Sequence, residues 1–414
     1  MEKYRKVRGM HDVLPDEGIK WNFFEKKAKE VCELFGFNQI KTPVVEEKNL
    51  FERGVGEQTD IVSKEMYVFK DRKGRELALR PEGTASVVRS YIENQLYLKE
   101  KISRLYYFGP MFRYDRPQKG RYRQFYHFGV ELFGGKHPFF DGEVIYLLSS
   151  IFKKTGIKNY SFKINSLGCS ECKLKYSEKL KDYFQNYKGQ LCDDCKIRLE
   201  KNPLRILDCK NKNCREISKK APEIEEILCN NCKKHFDKVI EYIKEMDIDF
   251  KIDKSLVRGL DYYTRTVFEV FIEGEENAVA GGGRYDNLVS QMGGPETPAV
   301  GFAIGVERII PYIKDEKEDR AIYCVFIGEE AKLWGVKNLS KVREKGICLI
   351  FDYEERNLKN HLKIYNRENR KWCIIIGENE MKNNQVILKN MKSGQQFQIS
   401  VENLLDGIKE KMKC

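Results

Sequence analysis

The stretch FRYDRPQKGRYRQFYHFGVE, Phe112 to Glu131, interleaves five Arg/Lys side chains (Arg113, Arg116, Lys119, Arg121 and Arg123) with six aromatic rings. Cations that meet phosphates and rings that stack on bases give a nucleic-acid surface this composition. Its ends read differently. RLYYFGPMFRY and QFYHFGVELFG are rich in β-formers, and the polar RPQKGRYR between them carries Pro and Gly. Two antiparallel strands joined by a long basic tip are expected. Arg113 then stands just before the loop and Glu131 well into the return strand. An Arg fixed on a strand offers a phosphate a two-pronged fork. A carboxylate buried on the same sheet needs a cation or hydrogen-bond donors. A solvated hairpin with surface salt bridges is the plainer alternative.

Outward from the hairpin, TVFEVFIE and AVGFAIG read as further strands around the Gly-rich AGGGRYD. In IKWNFFEKKAKEVCELFGF, Phe24, Ala28, Val31 and Phe35 recur at spacings of 4, 3 and 4, and Gly36 is a stop signal, so a helix is expected. FNQIKTPVVE alternates as a strand whose Pro43 suits an edge or an interface. PEGTASVVRSYIENQL reads as a second helix with Thr84 as candidate N-cap. The fold class that follows is α+β, an antiparallel sheet flanked by helices, over residues 1–320. Within it, residues from about 168 to 250 are Lys-rich, Cys-rich and helical in pattern, as an insertion would be. A charged linker, KDEKED (Lys314 to Asp319), ends this body. Over 321–414, IYCVFIG, ICLIFDY and WCIIIG alternate with stretches such as EEAKLWGVKNLSKVREKG, which indicates a small α/β domain.

The 414 residues allow two or three domains, and 41% apolar with 33% charged residues suits a globular chain. The formal charge of +12 favours polyanionic partners without requiring one. No apolar h-region follows the charged N-terminus, and no long apolar run suggests a membrane span. A cytoplasmic location is therefore the expectation, in which the 13 Cys stay out of disulfides.

Several segments carry chemistry. LVRGLDYYTRTVFEV concentrates Arg258, Asp261, Tyr262, Tyr263 and Arg265 before a strand; it is either a well-bonded turn or a pocket wall. Gly281, Gly282 and Gly283 before Arg284 and Tyr285 let a flat ligand lie on the backbone or form a hairpin turn, but lack a dinucleotide fingerprint. In GFAIGVERII, Arg308 falls near a helix start, a poor place for a cation unless an anion binds there. LALRPEGTAS sets Glu82, Gly83 and Thr84 at a strand-to-helix turn, where a carboxylate binds an ammonium group or caps the helix. Cys169/Cys172, Cys192/Cys195 and Cys229/Cys232 are C-x-x-C pairs, with Cys209 and Cys214 a looser fourth. Thiolate pairs at this spacing suit structural Zn²⁺, at one site, two or none; small buried hydrophobes are the alternative. A catalytic metal is set aside, because no His accompanies the pairs closely and His235 reads as a helix-face residue.

Taken in order, VRGMHDVLP, GFNQIKTPVVE, VGEQTDIVSKEMYVF, LALRPEGTAS, GPMFRYDRPQKGRYRQF, LVRGLDYYTRTVFE, AGGGRYD and GFAIGVERI resemble the histidyl-tRNA synthetases, class II aminoacyl-tRNA synthetases of bacterial type, along essentially the whole chain. The resemblance implies a class II catalytic domain with a Cys-bearing insertion and an anticodon-binding domain at the C-terminus. It also implies a ligase that forms histidyl-adenylate from histidine and Mg²⁺-ATP and passes histidine to tRNA(His), working as a homodimer with no membrane partner.

Carried over by position, Arg113 would hold the α-phosphate and the substrate carboxylate, and Arg258 would be the second catalytic cation. Arg308 would take the γ-phosphate end of ATP. Glu82, Gly83 and Thr84 would meet the α-ammonium, and Glu131 with Tyr263 the imidazole, with Tyr262 and Tyr285 lining the pocket. On the loop, Arg121 would meet ATP, while Arg116 and Gln118 would meet the tRNA. His127 stands where the family commonly has Gln, in the contact zone for the ammonium. A protonated imidazole there would repel the substrate, so weaker histidine binding below neutral pH is expected. The regulatory subunit of ATP phosphoribosyltransferase, a non-catalytic relative, is the alternative; it typically lacks the C-terminal domain and erodes the catalytic signatures that stand here.

Overall fold

The computed structural model describes residues 4–56, 59–118, 120–314 and 321–412. The expected linker lies outside these residues apart from Lys314, as do the 320/321 boundary and Lys119 of the hairpin tip. The chain divides into two compact units, Met1–Asp315 and Glu316–Cys414.

The larger unit is built on an eight-stranded sheet in the order Asn38–Gln39, Ser103–Phe112, Gln124–Phe133, Ala299–Gly305, Ala280–Arg284, Thr264–Ile272, Tyr160–Ser166, Phe250–Ile252. The expected hairpin forms its heart, with Leu105 opposite Glu131. The glycine run is a strand, not a turn. The sheet's interior pairs are antiparallel, but both edges correct the expectation of a purely antiparallel sheet: Asn38–Gln39 and Phe250–Ile252 each run parallel to their neighbour. Both edge pairings join segments separated by long connections, one through the small three-stranded sheet and helix Thr84–Glu93, the other through helices alone, and such crossovers return a strand in the same direction. FNQIKTPVVE also differs from the single strand expected. It breaks around Pro43 into Asn38–Gln39 and Val45–Glu47, and the second belongs to a separate three-stranded sheet with Tyr67–Lys70 and Glu76–Leu79.

Side chains alternate across a strand. On one face Phe128, Val130, Leu132, Phe268, Val270, Val300, Phe302 and Ile304 are buried against helices Pro15–Leu34 and Phe139–Lys154, through Phe24, Ala28, Val31, Val144, Leu148 and Phe152. Each such large side chain contributes about 1.5–3 kcal/mol on burial, and a one-residue slip would turn this face outward. The register is thereby fixed, and with it the opposite face. There Gly129, Ala303, Gly281 and Glu269 lie in one row, and Glu131, Gly301 and Gly283 in the next. Small residues on that face leave a trough.

Helix Pro15–Leu34 starts on Pro with Asp16 and Glu17 in its first turn, and Gly36 leaves it at φ +75°. The helix Thr84–Glu93 is not capped by Thr84, as expected, but preceded by Gly83. The Glu82 carboxylate accepts from the Thr84 and Ala85 amides at 2.7 and 2.8 Å, which frees the Thr84 hydroxyl.

Between Tyr160–Ser166 and Phe250–Ile252 lie helices Ser170–Gln185, Asp193–Lys201, Lys212–Ser218 and Asn230–Glu245. The first three share an apolar cluster that includes Leu180, Phe184, Leu199 and Ile206, whereas Asn230–Glu245 packs Val239 and Ile243 into the core under the main sheet. The first three are also tied to the body at several points. Lys173 donates to the Asp261 and Tyr263 carbonyls at 2.6 and 3.2 Å, Arg198 pairs with Asp60 at 3.1 Å, and Asn202 bonds Asp261 at 2.8 Å. His235 is more than a helix-face residue. Its Nε2 lies 3.2 Å from the buried Asp141, which also pairs with Arg284 at 2.6 Å.

The smaller unit is a five-stranded sheet. Leu349–Asp352, Ile322–Phe326 and Trp372–Ile376 are parallel, and Gln385–Asn390 and Gln396–Ser400 add on antiparallel. Ile322–Phe326 and Trp372–Ile376 are buried throughout, which explains their unbroken apolar runs.

Candidate active site

The trough opens into a cavity of about 700 Å³, within the range of small-molecule sites. Glu82, Thr84, Arg113, Arg121, His127, Glu131, Arg258, Tyr262, Tyr263, Tyr285 and Arg308 all line it. Residues from five separate sequence segments thus meet in one place. Both tyrosines of LVRGLDYY face the cavity, with ring centroids 4.7 Å apart. Gly83 does not line the cavity. It lies behind the wall, where the Tyr107 ring would meet any Cβ at 2.4 Å. Arg116 and Gln118 are exposed at the hairpin tip, outside the cavity.

Glu131 is the most buried acid of the trough, 1% exposed. The Thr84 hydroxyl donates to its Oε1 at 2.7 Å, and the Tyr285 hydroxyl to its Oε2. Gly301, directly across the ladder, is the only residue type that fits there, because a Cβ would stand 2.1 Å from Oε2. Burial pushes the Glu131 carboxyl up to about 8, against the pull of the two hydroxyls, with Glu82 adding to the rise. Burial likewise raises Glu82, against its two amide bonds and Arg113.

The other end is cationic. Arg113 donates from Nε to the Pro81 carbonyl at 2.9 Å and lies over the Phe125 ring. Arg308 donates to the Gly120 and Ala278 carbonyls at 3.0 and 2.5 Å. Burial lowers the pKa of Arg308, and the neighbouring charges of Arg121 and Arg113 lower it further. Arg308, with the guanidinium groups of Arg113 and Arg121 beside it, forms a seat for a polyanion. Arg121 keeps one partner, Asp115 at 3.2 Å, and Arg123 stacks on Tyr114 with its guanidinium carbon 3.8 Å from the ring centre.

His127 sits between the two ends with its Nδ1 buried and without a hydrogen-bond partner. Burial, reinforced by Arg113, Arg308, Arg80 and Arg258, drives its pKa well below the ordinary histidine range. That direction speaks against a charged ring and so against the expected weakening of histidine binding below neutral pH.

Sequence reasoning missed Tyr107, Glu269, Arg198 and Arg205, all of which line the cavity. Glu269 carried a signal, a lone acid in the apolar run TVFEVFI. Tyr107 carried none, being one of several aromatics in a strand.

The eight cysteines converge in two sets of four. Cys169 and Cys172 meet Cys229 and Cys232, and Cys192 and Cys195 meet Cys209 and Cys214, with the sulfurs of each set within 4.8 Å of one another. Tetrahedral Zn²⁺ with thiolates at about 2.3 Å spaces sulfurs about 3.8 Å apart. Cys169 and Cys172 Sγ lie 3.6 Å apart, and Cys192 and Cys209 Sγ 3.8 Å apart. Backbone amides of Cys169, Cys229 and Cys192 point at Cys232, Cys172 and Cys214 sulfurs at 3.2 to 3.3 Å, bonds that favour thiolate over thiol. Both sets fit a metal. Cys192 and Cys209 also line the cavity.

Residues 9–177 and 202–309 match the Histidyl-tRNA synthetase family, and residues 325–411 match the Anticodon binding domain. The histidine–tRNA ligase of Natranaerobius thermophilus is 46% identical over 412 residues, covering 97% of this chain and 98% of its own. The apo histidyl-tRNA synthetase of S. aureus superposes with a TM-score of 0.81 at 34% identity, over 98% of this chain and 99% of that one. An ATP phosphoribosyltransferase regulatory subunit/histidyl-tRNA synthetase of Bacillus halodurans shares the fold at a TM-score of 0.68 and 22% identity, over 91% of this chain and 99% of that one. With its α+β body, its C-terminal domain and a matching sequence throughout, the chain belongs to the histidyl-tRNA synthetase family.

Proposed function

We propose that the cavity activates L-histidine with ATP and hands the histidyl group to the 3′ end of tRNA(His), the work of a histidine–tRNA ligase on a class II catalytic body. The observation that carries this reading is one cavity with a buried carboxylate at one end and crowded arginines at the other. Glu131 and Tyr263 hold the imidazole, in a pocket that Tyr262 and Tyr285 close. Glu82 and Thr84, on the turn that Gly83 shapes from behind, and the His127 ring receive the α-ammonium. ATP arrives as its Mg²⁺ complex, with Arg308 and Arg121 on its phosphates.

In the first step a carboxylate oxygen of histidine bonds the α-phosphorus, and the bond to the bridging oxygen breaks to release pyrophosphate. Arg113 and Arg258 stabilise the charge that develops on the α-phosphoryl oxygens. In the second, a terminal ribose hydroxyl of the tRNA attacks the activated carbonyl and AMP leaves. The exposed Arg116 and Gln118 suit a contact with the acceptor end. The smaller unit reads the anticodon.

Zn²⁺ is the ion that would suit two four-cysteine sets, and its place would be structural: Cys169, Cys172, Cys229 and Cys232 would hold the first and last helices of the insertion together, and Cys192, Cys195, Cys209 and Cys214 its middle. A homodimer and a cytoplasmic location complete the reading. Among the described residues no helix is long and apolar enough to cross a membrane.

Purified protein should catalyse ATP–pyrophosphate exchange that depends on histidine, and absence of exchange would favour a non-catalytic regulatory subunit. Arg258→Ala should lower the exchange rate about 10²–10³-fold, the typical loss of a donor to a developing anion, while melting temperature and tRNA binding hold. Because burial and nearby arginines disfavour a charged His127 ring, His127→Gln should leave the pH profile of the histidine KM unchanged between about pH 6 and pH 8; a shifted lower limb would place a proton on His127. Metal analysis should find Zn²⁺ in both four-cysteine sets. Cys232→Ser and Cys214→Ser should each lose the ion of one set only, and loss of all metal from either would mean a shared site.

A further inference from the structure

Arg258 reaches the cavity from a segment without helix or strand, residues 253–263, so its long side chain needs a tether to be useful. Glu269 supplies one. It lies on strand Thr264–Ile272 between the buried Phe268 and Val270, and Arg258 Nη1 donates to its Oε1. Directly across the ladder from Glu269 is Gly281. A Cβ on Gly281 would lie 2.5 Å from Arg258 Nη1, 2.8 Å from Cζ and 2.9 Å from Nη2, so the guanidinium lies flat on the bare backbone of that glycine. Lys163, opposite Glu269 on the other side, turns away to Asp253 at 2.9 Å. Among the described residues the Arg258 pair is the ion pair in which Glu269 takes part. Arg258 Nε is buried with no hydrogen-bond partner.

We propose that Glu269 is the positioning residue for Arg258: it pins one prong of the guanidinium over Gly281, so that the rest of the fork faces the reacting phosphate. The inference rests on the reading of Arg258 as a catalytic cation. Glu269 touches no reacting atom. Its carboxylate holds Arg258 in one of many rotamers before substrate arrives, so that the cost of ordering it is met in folding and not at the transition state. Gly281 serves the same end, since any side chain there would lift the guanidinium off its seat. An arginine is a fork of five N–H groups, and giving one to Glu269 leaves the others for substrate.

The test is a double-substitution cycle read by histidine-dependent ATP–pyrophosphate exchange. Glu269→Ala should lower kcat by about a hundredfold with both KM values held within about threefold, the pattern of an interaction made in the transition state. Glu269→Gln keeps an acceptor oxygen of the same shape and should recover at least about tenfold of that loss. In the Arg258→Ala background neither Glu269 substitution should lower the rate further. Losses that add in the double variants would overturn the proposal, and so would a raised Mg²⁺ requirement in the Glu269 variants, which would make Glu269 a metal ligand. Should Glu269→Ala fail to fold, the isosteric Glu269→Gln alone and in the Arg258→Ala background decides by the same criterion. Full exchange in Arg258→Ala itself would instead sink the underlying reading of Arg258.

Discussion

A carboxylate in the middle of a sheet is costly, and the catalytic body is organised around accommodating one. Glu131 has given up water almost entirely, and two hydroxyls answer it, Thr84 from a helix start and Tyr285 from just past strand Ala280–Arg284, two strands away. The strand across from it has to present a glycine at 301. Removing any of these groups leaves a charge or a lone pair stranded in the interior, so the acid locks three chain segments into one arrangement. Its raised pKa expresses the same tension: two hydroxyls do not offset the burial, and the N–H of an imidazole would add the donor that does.

The two-faced sheet makes that tension tolerable. Phe128, Val130, Phe268 and Phe302 anchor one face in the core, and alternation then places Gly129, Glu131, Glu269, Gly281 and Gly301 on the other without further instruction. Glu82, Glu131 and the hydroxyls of Thr84 and Tyr285 gather at one end of the trough, and Arg113, Arg121 and Arg308 at the other. Burial and the charges of Arg121 and Arg113 lower the pKa of Arg308, and burial with its arginine neighbours disfavours a charged His127 ring. A site in this state is poised for a ligand with an imidazole at one end and phosphates at the other.

Much of this is legible in the amino-acid sequence. The hairpin around Arg113 and Glu131, the helix that Gly36 ends and the α/β character of the C-terminal unit follow from alternation and stop signals, which are local. What escapes such a reading is non-local. Thr84 has the chemistry of an N-cap, yet its hydroxyl is taken by an acid 47 residues away, while Glu82 caps the helix amides. Pro43 signals an interruption, but not that the two halves enter different sheets. The cysteine pairs signal a metal, whereas their partition into two sets depends on how four helices pack. Glu269 and Gly281 each look ordinary in sequence; their meaning lies in facing one another beneath Arg258.

The most direct test of the account is the affinity of Glu131→Gln for L-histidine, measured by calorimetry beside its affinity for ATP. The substitution keeps the size of the side chain and replaces its ionisable carboxyl with an amide. The account predicts a loss of histidine affinity of about a hundredfold or more, because a site built to hydrogen-bond a ligand group fails when that group is mismatched, with ATP affinity unchanged. Histidine affinity that stays within a few-fold of the native value would contradict it.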